Sequence, residues 1–205
     1  MNIEMTLRKT VGEEVFSLDI DPSSTVLDIL ETIRKDKKPD LLYRHSCHHG
    51  SCGTCGAMIN GVARLMCLTR LKDLRTDRLL VEPLAKMTEI EGIAVWPGPL
   101  FENLPDTDYL AKTGGGDDGR RLEDCIECGI CVAACPVQKP FVGPAALAAI
   151  DIERAKHPEH WPAMKEFAAS AEGAPACERV FECSRACPQG VAPGRRITNL
   201  LSLLK

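Results

Sequence analysis

Four cysteines, Cys47, Cys52, Cys55 and Cys67, stand in the spacing C-x4-C-x2-C-x11-C, the first three in a loop that also holds Gly50, Gly53 and Gly56. Thiolates are soft metal ligands, and C-x4-C-x2-C is the opening of a plant-type [2Fe-2S] site. Glycine takes positive φ at little steric cost, so this short loop can curl around two irons and turn its N–H groups toward the sulfurs. A four-cysteine zinc site would usually present two C-x2-C knuckles, and only one such pair is present. His45, His48 and His49 flank the same loop. In a Rieske centre two histidines replace two cysteines on one iron. With four cysteines already at hand, these rings are expected at the surface or just outside the ligand set.

Cys125, Cys128, Cys131 and Cys135, followed by Pro136, form C-x2-C-x2-C-x3-C-P. This is the bacterial ferredoxin run, whose fourth cysteine serves the neighbouring cluster. The stretch from Cys177 to Pro188 repeats it, with Cys183 and Cys187 in place and Val180 where the middle cysteine would stand. Crossing the fourth ligands gives Cys125, Cys128, Cys131 and Cys187 to a [4Fe-4S] cluster. Cys135, Cys177 and Cys183 are left as a three-thiolate set. A [3Fe-4S] cluster suits that set, because the corner opposite Val180 has no protein ligand. The three sets use all 11 cysteines. Two alternatives stand beside this reading of the third site. One is a labile [4Fe-4S] cluster with an open iron, as in hydro-lyases; the other is a chance Val180 substitution in an ordinary two-cluster ferredoxin.

The elements that must position these loops differ between the two halves. Ile3, Met5 and Leu7 alternate with polar residues, as do Phe16, Leu18 and Ile20, which is the period of half-buried strands, with Gly12 in the turn between them. Ser23, Ser24 or Thr25 can cap a helix whose Val26, Ile29, Leu30 and Ile33 share one face. Asn60-Gly61 between residues 57–59 and 62–65 predicts a type I′ hairpin, with a last strand near residues 79–81. This pattern fits a β-grasp layout. Residues 82–120, with Pro83, Pro97, Pro99 and Pro105 and the run Thr113 to Gly119, read as an irregular connection ending in a flexible linker. Helices are expected at 144–155, about 162–171 and 194–204. The expected fold class is α+β: a β-grasp [2Fe-2S] ferredoxin-like domain (1–100), a linker (101–119) and an α-helical two-cluster ferredoxin domain (120–205).

Composition narrows the class. The 205 residues are 44% hydrophobic but only 4% aromatic, so bound clusters would supplement an aliphatic core. An odd cysteine count argues against a closed disulfide framework, and the N-terminus has no basic-then-apolar secretory pattern. The longest apolar stretch, roughly 141–150, is far short of the ~20 residues of a membrane span, so direct transmembrane insertion is not expected. A net charge of −4 gives no reason to expect a nucleic-acid partner. A zinc-stabilised interaction protein would require the cysteine arithmetic to be accidental.

The motif order resembles the iron–sulfur subunit of succinate dehydrogenase and fumarate reductase over nearly the whole chain. The resemblance rests on Tyr43-Arg44-His45-Ser46-Cys47 through Gly56, on Cys125 through Pro136, on Gly143-Pro144-Ala145-Ala146-Leu147, and on Cys177 through Pro188 with the helix after Pro193. The second and third stretches look closer to the fumarate-reductase branch. The resemblance implies a non-catalytic electron-transfer subunit of a succinate dehydrogenase (quinone) or fumarate reductase. Such a subunit sits between an FAD-containing flavoprotein subunit and membrane anchor subunits with quinone, peripheral on the cytoplasmic face of the inner membrane. Two departures bear on the acceptor. Val137-Gln138-Lys139-Pro140 lacks the tryptophans of ubiquinone-linked members, and Glu178 stands where those members often carry histidine. Menaquinone or a soluble acceptor becomes plausible, as does a relay in a variant complex with a soluble flavoprotein or a heterodisulfide-reductase-like partner.

Overall fold

The alternation at the N-terminus becomes β1 (Asn2–Arg8), which buries Ile3, Met5 and Leu7. β2 (Glu13–Asp19) pairs with it antiparallel, setting Ile3 opposite Leu18 and Met5 opposite Phe16. These observations come from a computed structural model that describes residues 1–98, 100, 125–138 and 140–205. The cap of α1 (Val26–Asp36) is Thr25: its hydroxyl accepts from the Asp28 N–H at 3.2 Å, and the Asp28 carboxylate accepts from the Thr25 N–H at 2.8 Å. Such a cap is worth about 1 kcal/mol. Val26, Leu27, Ile29, Leu30 and Ile33 on this helix are fully buried, each stabilising the unit by roughly 1.5–3 kcal/mol before entropy is charged against it.

β3 (Gly56–Ile59) and β4 (Val62–Leu65) form the expected hairpin, with Asn60 at φ 47 and Gly61 at φ 75, the two positive angles of a type I′ turn. Asn60 has a second role, because its side-chain oxygen accepts from the Leu80 N–H at 2.7 Å. That bond anchors the turn to β5 (Arg78–Glu82), which runs parallel to β1 and antiparallel to β3. The sheet order is β2-β1-β5-β3-β4, the β-grasp arrangement, with the short α2 (Leu71–Leu74) before β5.

Residues after 82 do not form the irregular connection expected of them. β6 (Thr88–Glu91) and β7 (Ala94–Trp96) make a separate antiparallel hairpin with a register irregularity between Glu89 and Glu91. Its turn needs Gly92, at φ 63, where a Cβ would lie 2.3 Å from the Leu42 carbonyl oxygen. The Ile93 N–H donates to that same carbonyl at 3.1 Å. The expected linker at 101–119, with its glycine run, lies outside the described residues.

Among the described residues the chain then turns helical, with α3 (Ile130–Ala133), α4 (Pro144–Lys156), α5 (Trp161–Ala169), α6 (Glu182–Ala186) and α7 (Pro193–Leu203). Proline opens α4 and α7, a position where its missing N–H costs nothing. Ala146, Leu147, Ile150, Met164, Ile197 and Leu200 form the centre of an aliphatic core shared by α4, α5 and α7. Asp151, 1% exposed, is held in it by Arg154 at 3.0 Å, Asn199 at 3.2 Å and Arg196 at 3.7 Å, so its charge is matched from both α4 and α7.

The chain divides into two compact units. The first comprises Met1–Pro97 together with Ile126–Ala133; the second contains Ala134–Lys205 and takes in Cys125. The unit boundaries therefore cut inside the cysteine run that begins at Cys125. Among the described residues no helix is long and apolar enough to cross a membrane.

Candidate metal centres

The loop before β3 curls around the sulfur of Cys47. The backbone N–H groups of His49, Ser51 and Cys52 point at it from 3.5, 3.2 and 3.3 Å. Positive φ at His48, Gly50 and Gly53 produces the curl. The N–H of His49, seconded by Cys52 and Ser51, pulls the Cys47 thiol down to about 6 from its ordinary value near 9. Cys55 is buried at the start of β3, and burial drives its thiol up to about 12. Cys67 sits in the 3-10 turn Met66–Leu68 after β4, its sulfur 3.3 Å from that of Cys55, close enough for the pair to share one metal ion and far beyond a disulfide bond. No disulfide joins any of the eleven cysteines. A loop that aims three N–H groups at the Cys47 sulfur, with the buried Cys67 thiol brought to Cys55 from the turn after β4, fits an anionic metal–thiolate centre, and loop and turn together carry all four residues named for the [2Fe-2S] site.

The Cys47 shift has a sign that can be checked. Its thiolate form dominates above pH about 6, and the stabilisation it draws from the three N–H groups is full above the ordinary thiol range and lost as pH falls through about 6. In the cluster-free chain, iodoacetamide should therefore label Cys47 well before Cys55 at neutral pH, read by peptide mass spectrometry. Labelling of Cys47 should fall away only below about 6. Equal rates at the two residues would contradict the loop geometry.

Gly53 makes the closest backbone approach of this region. Its φ is +70, and a Cβ there would lie 2.0 Å from the Ile126 carbonyl oxygen and 3.1 Å from the Cys128 nitrogen. The ligand loop of the first set thus lies directly against the backbone that carries Cys128. Ile130, in α3, is 1% exposed and completes the same packing beside Gly56. Of the four residues named for the [4Fe-4S] site, Cys128 and Cys131 belong to the first unit and Cys125 and Cys187 to the second.

In the second unit Cys135, Cys177, Val180 and Cys183 line one open concavity, with Phe141 and Phe181 among its other walls. The structure therefore gathers the three cysteines named for the third site around one space and places Val180 on the same rim. The Arg179 N–H donates to the Cys177 sulfur at 3.4 Å. Burial raises the Cys183 thiol. Two hydroxyls escaped the motif reading: Thr54, with its Oγ1 3.1 Å from the Cys52 sulfur, and Ser184, which contacts Cys183 and accepts from the Gly194 N–H at 2.8 Å. Each directly follows or separates ligand cysteines, which was the available signal; hydrogen bonds to cluster sulfurs tune potential.

Comparison with known proteins gives a consistent result. The family described as 2Fe-2S iron-sulfur cluster binding domain matches residues 6–95, and the 4Fe-4S dicluster domain matches residues 121–191. The fumarate reductase iron-sulfur subunit of Escherichia coli is 32% identical over 202 residues, covering 89% of this chain and 82% of the relative. The succinate dehydrogenase iron-sulfur subunit of Coxiella burnetii is 30% identical over 215 residues, covering 90% and 86%. Among solved structures, a chain of the Mycobacterium smegmatis Sdh1 complex in the apo form shares the fold, with a TM-score of 0.80 at 23% identity over 99% of this chain and 95% of that one.

Proposed function

Because this chain belongs to the family of iron–sulfur subunits of succinate dehydrogenase and fumarate reductase, we propose that it relays electrons between an FAD-bearing flavoprotein subunit and a quinone pool. Cys47, Cys52, Cys55 and Cys67 hold a [2Fe-2S] cluster. Cys125, Cys128, Cys131 and Cys187 hold a [4Fe-4S] cluster, and Cys135, Cys177 and Cys183 hold a [3Fe-4S] cluster. When bound, these clusters supply one-electron redox couples whose potentials follow cluster type, hydrogen bonding and burial. The chain's own residues set the last two of these: hydrogen bonding through the N–H groups around Cys47 and the hydroxyls of Thr54 and Ser184, and burial at Cys55 and Cys183. It contributes no dicarboxylate site. Its place is peripheral, on the cytoplasmic face of the inner membrane, held there by anchor subunits.

The observation that carries this reading is the contact of Gly53 with the backbone of Ile126 and Cys128. Tunnelling rates fall steeply with distance, and loops that touch keep successive redox centres close. The test is purification of the chain from its native membranes with its partners. About nine irons per chain are expected, with a flavin-bearing protein and a membrane anchor in the same complex, and clusters that reduce on addition of succinate or reoxidise with fumarate. Recovery with soluble proteins alone would overturn the quinone assignment. It would favour the second reading, a relay to a soluble flavoprotein or a heterodisulfide-reductase-like partner. That reading draws on the walls of the third concavity, where among the described residues Phe141 and Phe181 are the aromatic ones and no tryptophan takes part.

A further inference from the structure

Glu31 on α1 faces two histidines, His45 just before the first cysteine loop and His48 within it. The Nδ1 of His45 lies 3.4 Å from the Nε2 of His48, and the Glu31 Oε1 lies 3.4 Å from that Nε2 and 3.9 Å from that Nδ1. These separations are long for hydrogen bonds, whose N–H···O distances centre near about 2.9–3.0 Å. They are close to the edges of a metal tetrahedron: Zn–N and Zn–O bonds of about 2.0–2.2 Å place neighbouring ligand atoms about 3.3–3.6 Å apart. The three atoms lie within 4.8 Å of one another.

The ligands are also held before any ion arrives. The His45 ring packs against Tyr43 in a tilted arrangement with centroids 5.1 Å apart, and Tyr43 is 5% exposed. His48 is fixed by a left-handed backbone, φ 60. Glu31 extends from the helix whose Ile29, Leu30 and Ile33 are fully buried. Arg34 lies over the same Tyr43 ring, its Cζ 4.9 Å from the ring centroid. Side-chain exposures of 35% for Glu31 and 42% for His48 leave a fourth position open to water.

We propose that Glu31, His45 and His48 form a binding site for a divalent cation of the zinc class, separate from the eleven cysteines. Two imidazoles and one carboxylate are a borderline-soft set that suits Zn²⁺ and rejects calcium and magnesium. A bound ion ties α1 to the loop that begins at Cys47.

The test titrates the cluster-loaded full chain with Zn²⁺ by calorimetry, so that the cysteines are already saturated with iron. One tight equivalent is expected, together with a rise in the thermal midpoint. Glu31→Gln should weaken that binding at least tenfold. So should His48→Asn, chosen because asparagine tolerates the left-handed backbone. The resonance of the reduced [2Fe-2S] cluster should be retained in both variants, which separates loss of the site from loss of the fold. Absence of a tight equivalent in the loaded wild type overturns the proposal. So does unchanged affinity in both variants, the result that binding would give at His157 and His160, whose rings stack 5.1 Å apart at the end of α4.

Discussion

Replacing Val180 with cysteine abolishes the near-isotropic resonance of the oxidised [3Fe-4S] cluster and gives a fourth iron at the third site: this is the expected result of completing a ligand set that is one thiolate short. Val180 lines the same concavity as Cys135, Cys177 and Cys183, and it occupies the position that the ferredoxin run gives to a cysteine. At 42% exposure it packs little, so the substitution costs little stability. Positive φ at Arg179 and Phe181 belongs to the flanking residues and is untouched. Cluster type is a main determinant of potential, so the third centre should shift by on the order of 100 mV, making its reduction harder. Electron paramagnetic resonance and iron content of the variant check both statements. Val180→Ala, which adds no ligand, should keep the parent signal. An undiminished [3Fe-4S] resonance in the cysteine variant would mean that Val180 does not face the open corner.

The second large effect is expected at Gly53. In Gly53→Ala the new methyl would lie 2.0 Å from the Ile126 carbonyl oxygen, at a φ of +70. The left-handed backbone alone costs an alanine roughly 1–2 kcal/mol. The clash adds more, because neither side can yield by turning a side chain: both are main chain. A total of about 3–5 kcal/mol is expected, enough to separate the loop from the Cys128 backbone. Gly61→Ala is the matched control, with φ +75 and nothing within 4 Å of the added carbon, so it isolates the backbone contribution. Denaturation midpoints and cluster content of the two variants should differ sharply, with Gly53→Ala losing iron from the first two sites. Equal behaviour would show that the contact with Ile126 carries no weight.

Several features behind these expectations were legible in the residues, because each is local. The period of Ile3, Met5 and Leu7 gave β1, Asn60-Gly61 gave the hairpin, and the Ser23-Ser24-Thr25 run gave the start of α1, with the structure choosing Thr25 as the cap. Three of the helices follow from proline or small-residue starts and aliphatic runs. The β6–β7 hairpin was not legible: three of the four residues of β6 are exposed, β7 is only three residues long, and flanking prolines argue against pairing. What holds it is a long-range contact, Gly92 against the Leu42 carbonyl. The cysteine spacing named the candidate ligands, yet it placed the whole run from Cys125 in the helical half. Side-chain burial of Ile130 and the approach to Gly53 draw Ile126–Ala133 into the first unit instead, and neither has a local signature. The partnership of Glu31 with His45 and His48 is similarly invisible along the chain, since it depends on how α1 meets the loop.

The return of Ile126–Ala133 to the first unit bears on how the protein is made. A ribosome that has released Pro97 has delivered every strand of the β-grasp sheet, but not the segment that covers Gly53, Gly56 and Leu84. Until Ile130 emerges, that face of the sheet has no cover, and the nascent loop around Cys52 and Cys55 is open to solvent, oxygen and stray metal. The packing around the first ligand loop is thereby completed only by residues of the second set of ligands. A fragment ending at Pro97 is a domain without one of its walls.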